Sequence, residues 1–279
     1  MESRSAVVNG IPMRWDETGE GVPVVFVHGI PTSPALWRRV VPFLEGVRTL
    51  AWEMVGYGQS IPEGMGREIS VGRQADYLLS WMREIGLSRA VLAGHDLGGG
   101  VVQIAAVRRP EAVAGLFLTN AIGYDSWPIP SVKAMRTAGG LVERLPDPVF
   151  RRIFAGFVIQ GHDDREIARE SLDLHWENYA AADGAAAFVR QVRSLNVHDT
   201  LAVRDSLPAL KLPARVVWGE ADRFQKVKYG ERFAHDLHTT LRRISGGKHF
   251  TPEDHPAAVA EAVNDLVREV RSSGAADAG

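Results

Sequence analysis

The chain has 279 residues, 45% hydrophobic and 24% charged, with a net charge of -2 at neutral pH. That length can bury a full-sized core, and a near-neutral chain with no long basic run argues against a nucleic-acid partner. There is no cysteine, which excludes disulfide staples, thiolate nucleophiles and cysteine-based metal sites.

Met1 to Gly10 carry no apolar signal core, and no apolar run approaches the roughly 18 residues of a membrane span. A cytoplasmic location and no membrane partner are the expectations. The opening reads as a hairpin, Ala6 to Val8 turning at Asn9-Gly10 into Ile11 to Trp15. Val22 to Val27 is apolar without alternation, as in a strand buried on both faces. Similar short strands are expected at Arg48–Trp52, Ala90–Ala93, Val113–Leu118 and Arg215–Trp218, with a weaker one at Leu241–Ile244. Helical patterns occupy Ala35–Glu45, Ser70–Ile85, Gly98–Arg108 and Pro256–Arg271. Strand-helix alternation on this scale implies an α/β fold, a mainly parallel central sheet flanked by helices. Between about Gly123 and Leu212 the alternation stops, and helical patterns such as Asp164–Ala181 and Ala185–Leu195 replace it. The expected division is therefore a core formed by residues 1–123 and 212–279, interrupted by a helical insertion over 124–211. The end, Ser272 to Gly279, is small and polar and is expected to fray.

Gly94-His95-Asp96-Leu97-Gly98-Gly99 joins a buried strand directly to a helix. At such a corner the central residue is strained, its neighbours must be small, and its side chain stands above the sheet edge at a helix N-terminus that favours an anion. A carboxylate there is already ionised and needs no base to activate it. The plain alternative is an Asp capping its own helix. A second turn, His28-Gly29-Ile30-Pro31, follows an earlier strand, and there the amides of Ile30 and Leu97 are candidates for an oxyanion hole. Asp222 lies just past a late strand, where open α/β sheets keep their sites; Glu220 and Asp125 are alternative acids. His249 sits on the loop before the last helix, completing the chain order nucleophile, acid, histidine.

Taken together, His28-Gly29-Ile30-Pro31, the Asp96 elbow, Asp222 and His249 resemble the α/β-hydrolase fold, in its epoxide hydrolase and haloalkane dehalogenase branch, over nearly the whole chain. The resemblance implies a helical cap domain over 124–211. It also implies a two-step hydrolysis in which Asp96 forms an alkyl ester and His249, oriented by Asp222, activates the water that cleaves it. No cofactor or metal is expected, and the partner is a small, apolar epoxide or halide. Haloalkane dehalogenases usually carry Trp after the nucleophile, and many carry Asn after the His-Gly pair. Here those positions are Leu97 and Ile30. Fluoroacetate dehalogenases carry arginines near the elbow, and Leu97 and Gly100 supply none.

Epoxide hydrolysis to a vicinal diol is accordingly the expected activity, with a haloalkane or haloacid dehalogenase as the alternative and a non-catalytic ligand-binding protein behind both. Epoxide hydrolases commonly protonate the epoxide oxygen with cap tyrosines, which singles out Tyr124 and Tyr179. His28, Pro31, Trp127, Trp176 and Phe250 are the further substrate-binding candidates, with His162 and His175 as other possible cap donors. Oligomeric state is open, a homodimer included.

Overall fold

The computed structural model describes residues 1–276. Strands β1 (Glu2–Val8) and β2 (Ile11–Thr18) pair antiparallel across Asn9-Gly10, both at positive φ, 49° and 77°, as a tight two-residue hairpin turn requires. The remaining strands are β3 (Val22–Val27), β4 (Val47–Trp52), β5 (Ala90–His95), β6 (Val113–Thr119), β7 (Ala214–Gly219) and β8 (Leu241–Ile244). They form one eight-stranded sheet in the order β1-β2-β4-β3-β5-β6-β7-β8, antiparallel at β1-β2 and β2-β4 and parallel elsewhere.

Both faces of the sheet are covered, which explains the unbroken apolar runs. Val25, Val27, Leu92 and Leu118 point to a core shared with helices α1 (Val71–Glu84) and α2 (Leu97–Arg108). Val24, Phe26, Ala93 and Phe117 point to the opposite core, shared with Leu36, Trp37 and the long last helix. The expected helix over Ala35–Glu45 is instead two 3-10 turns, Pro34–Trp37 and Val41–Phe43. Pro42 has no N–H to continue an α-helix, and its ring clashes with the preceding turn.

Between β6 and β7 lie six helices: α3 (Pro130–Thr137), α4 (Gly139–Val142), α5 (Asp147–Gly161), α6 (Arg165–Ala180), α7 (Gly184–Ser194) and α8 (His198–Leu201). The helix α6 starts where Asp164 accepts hydrogen bonds from the amides of Glu166 and Ile167. Phe150, Phe154, Leu172, Tyr179, Phe188 and Val192 form an apolar cluster in this segment that also takes in Ile61 from the sheet domain. It is fastened to the sheet domain by a buried polar network. Glu253 receives Ser171 Oγ at 2.7 Å and contacts Arg38, which also binds Glu170 at 2.8 Å.

Three more helices follow: α9 (Val227–Asp236), α10 (Thr251–Asp254) and α11 (Pro256–Ala276). The helix α9 carries His235 but stops before His238, which has φ 52°. The final helix persists through the first part of the segment expected to fray; 277–279 lie outside the described residues. Among the described residues no helix is long and apolar enough to cross a membrane.

Candidate active site

Strand order places the site. From β3 the chain crosses to β4 on one side and then to β5 on the other, so the loops after β3 and β5 part at their C-terminal ends. That crevice is where open α/β sheets bind ligands. Asp96 closes β5 with φ 50° and ψ -120°, a conformation that non-glycine residues seldom adopt. Close packing holds it there. A Cβ on Gly98 would lie 2.1 Å from the Val27 carbonyl oxygen, and one on Gly29 would lie 2.5 Å from Asp96 Cβ.

The Asp96 side chain does not cap α2. Its Oδ2 accepts the Ile30 amide at 3.0 Å, and the Leu97 amide opens α2 beside it and lowers the carboxyl's pKa. Its Oδ1 lies 3.9 Å from His249 Nε2. Burial pushes the carboxyl above its usual range, against the pull of His249 and the two amides. His28 does not reach the cavity. Its Nε2 accepts the Met54 amide at 3.2 Å and its Nδ1 donates to the Gly29 carbonyl at 2.9 Å, so it clamps the β3 loop as a neutral ring. Burial depresses its pKa to about 3.

His249 Nδ1 donates to Asp222 Oδ2 at 2.8 Å. Burial alone would lower the pKa of the imidazole, but the charge and hydrogen bond of Asp222, with Asp96 beyond, hold it above the ordinary value. Asp222 is fully engaged: Oδ1 accepts the amides of Phe224 and Gln225 at 2.7 and 3.1 Å, and Oδ2 also accepts Asn120 Nδ2 at 2.7 Å. Glu220 and Asp125 are both exposed at the surface. His95 is neutral, its pKa pushed far down by burial, and its Nε2 donates to the His249 carbonyl at 2.9 Å. Asn120 and His95 thus steady the acid and the imidazole loop. Asn120 was not anticipated, because its partner lies 102 residues away.

The arrangement can present Asp96 Oδ1 to an electrophile, hold Oδ2 on the Ile30 amide, and take a proton from water at His249 Nε2. Above it is a mostly apolar cavity in which water centres can occupy about 60 Å³. Ile30, Pro31, Leu97, Gln225 and Phe250 line it beside Asp96 and His249, and Trp127, Val132, Phe157, Phe188 and Leu195 line it from the insertion. Pro31, Trp127 and Phe250, three of the residues expected to bind substrate, line this cavity. Trp127 offers only its face, because Nε1 donates to Thr200 Oγ1 at 2.7 Å.

Other expectations need correction. Tyr124 packs on Phe233 of α9, and its hydroxyl donates to Asp236 at 2.8 Å. Tyr179 is buried in the insertion, with its hydroxyl on Gln191 at 2.7 Å. Trp176 packs at a tilt against Phe150 and edge-on against Phe154 in that same cluster. None of the three lines the cavity. Neither do His162 and His175, which flank Glu253 in the polar network at 3.2 and 3.9 Å. Among the described residues no group of three or more His, Cys, Asp or Glu is arranged to hold a metal ion.

The family model described as alpha/beta hydrolase fold matches residues 22–157. A haloalkane dehalogenase from Bradyrhizobium diazoefficiens is 27% identical over 94% of this chain and 93% of its own length. A bifunctional epoxide hydrolase 2 from Sus scrofa is 35% identical, but over 40% of this chain and 20% of its own. An alpha/beta hydrolase fold protein from Burkholderia ambifaria superposes with a TM-score of 0.83 at 27% identity, covering 94% of this chain and 97% of that one.

Proposed function

We propose that this chain, a hydrolase of the α/β-hydrolase fold, displaces halide from a small apolar haloalkane through an ester on Asp96, beneath a cap formed by residues 124–211. One observation carries the reading: Asp96 Oδ2 is held by the Ile30 amide while Asp96 lines an apolar cavity with Oδ1 towards His249. Oδ1 attacks the sp³ carbon, and the bonding electrons leave with the halide. Oδ2 then becomes the ester carbonyl oxygen, already seated on the Ile30 amide, with the Leu97 amide as the second donor. Water attacks Cγ while His249 Nε2 takes its proton, and the negative charge collects on Oδ2, where preorganised donors are worth most. Collapse expels the alcohol oxygen, which takes the proton back from His249. The carboxyl then ionises, so the products are alcohol, halide and one proton.

The choice of halide over epoxide follows from the roof. A halide leaves as a stable anion, whereas an opening epoxide oxygen needs a proton, and the two phenols expected to provide it are committed to Asp236 and Gln191. The epoxide reading keeps one support. The raised pKa of His249 lets the imidazolium supply that proton and then serve as the base.

The test is intact-protein mass spectrometry of His249→Gln after exposure to 1-bromobutane or 1,2-epoxybutane. The expected result is a butyl adduct without bromine on the Asp96 peptide, with bromide release by the unaltered enzyme. An adduct with the epoxide alone reverses the substrate assignment. No adduct with either substrate removes Asp96 as nucleophile.

A further inference from the structure

We propose that the Gln225 carboxamide is the group that holds the departing halide. The inference rests on the displacement reading above and assigns it a residue. Gln225 lines the catalytic cavity and is only 3% exposed. Three lining side chains carry N–H groups. Trp127 has given its N–H to Thr200, and His249 is tied to Asp222 at one nitrogen and faces Asp96 with the other. Gln225 is left.

Its backbone is fixed at both ends, with the amide donating to Asp222 Oδ1 at 3.1 Å and the carbonyl accepting Trp218 Nε1 at 2.7 Å. Its carboxamide is not fixed at the oxygen: Oε1 is buried without a partner. Buried polar side chains in folded proteins are nearly always paired, so an unpaired one in an apolar pocket marks a place where something else binds.

The location suits a leaving group. Asp222 holds the His249 ring through Oδ2 and the Gln225 amide through Oδ1, so one carboxylate sets both positions. Phe224, between them in the chain, meets the imidazole edge-on at 5.1 Å. The chemistry suits a halide as well. A carboxamide N–H stabilises an anion by hydrogen bonding but does not surrender its proton near neutral pH. The rival role is for Oε1 to orient the hydrolytic water, which would act on the second step instead of the first.

The experiment measures ester formation in single turnover with 1-chlorobutane, 1-bromobutane and 1-iodobutane, comparing Gln225→Leu with Gln225 intact, both in the His249→Gln background. The expected result is about 10²-fold slower alkylation for the chloride, in line with loss of one donor to a developing anion, and a smaller loss for the iodide. Equal rates with all three halides overturn the proposal. So does a defect confined to ester hydrolysis when His249 is present, which would make Gln225 a water holder. Should Gln225→Leu not fold, anomalous scattering from bromide-soaked crystals of the unaltered protein decides. Bromide within hydrogen-bond reach of Gln225 Nε2 supports the proposal, and bromide elsewhere in the cavity overturns it. Absence of any ester with Gln225 intact is a separate result, because that outcome defeats the displacement reading itself.

Discussion

The floor and roof of the cavity are built from different chemistry. On the floor, loops at the ends of β3, β5, β7 and β8 carry Asp96, His249 and Gln225, each fixed by hydrogen bonds, those of Asp96 and His249 to groups 66 and 27 residues away and that of Gln225 to Asp222 nearby. The roof carries Trp127, Val132, Phe157, Phe188 and Leu195 and directs no free donor inward. A sheet buried on both faces resists small shifts, so it suits groups whose positions matter to tenths of an ångström. The helical segment holds shape through one apolar cluster and a few charged bolts, which suits selection by size. If the proposed function holds, changes to the floor should alter the reaction and changes to the roof the choice of substrate.

The largest effect is expected on the floor. Asp96→Ala should lower turnover roughly 10⁴-fold or more and abolish ester formation, while leaving thermal stability nearly unchanged or raised, because it removes a strained, buried acid. Residual ester in mass spectra would break the floor's side of the comparison.

Next comes Asn120→Ala, which strips one charge-assisted hydrogen bond from Asp222. It should slow ester hydrolysis about 10- to 100-fold and leave alkylation almost untouched, so that alkyl-enzyme accumulates during turnover. The same step should rise with pH, since the base must be neutral and Asp222 holds the pKa of His249 above the ordinary value.

A third test addresses the bolts. His162 lies between Glu253 and Asp254, with Arg38, His175 and Lys248 around it. Burial alone would lower its pKa, but the two acids raise it to about 9. A raised histidine contributes stability fully below its unfolded value near 6.5, and that contribution disappears as pH climbs through about 9. The thermal midpoint should therefore fall across that window, by at most on the order of 3 kcal/mol in stability. His162→Gln should lose most of the slope, the remainder belonging to His249. An unchanged slope would remove His162 from the network that holds the insertion down.

The smallest effect should come from the roof. Phe157→Ala enlarges the cavity and should lower KM a few-fold for haloalkanes one or two carbons longer, with kcat for butyl substrates little altered. A large kcat change would mean that the roof takes part in the chemistry.

Amino-acid sequence alone marked much of what is local in the chain, although Pro42 makes two 3-10 turns of the helix expected over Ala35–Glu45. Unbroken apolar runs mark strands covered on both sides, Asn9-Gly10 marks a hairpin, and Gly94-x-Asp96-x-Gly98 marks a corner that only small neighbours permit. Those features depend on φ, ψ and the next few side chains; with the chain order of the strand ends they single out Asp96, Ile30, Leu97, Asp222 and His249, which the structure brings together. The contacts that decide what a polar side chain does were hidden. Tyr124 reaches Asp236 across 112 residues, Trp127 reaches Thr200 across 73, and Asn120 reaches Asp222 across 102. A hydroxyl or amide takes whichever partner the packed chain brings near, because leaving it unpaired in a buried place costs more than any local preference supplies. Only the tertiary structure could turn the tyrosines away from the cavity and leave Gln225 facing into it.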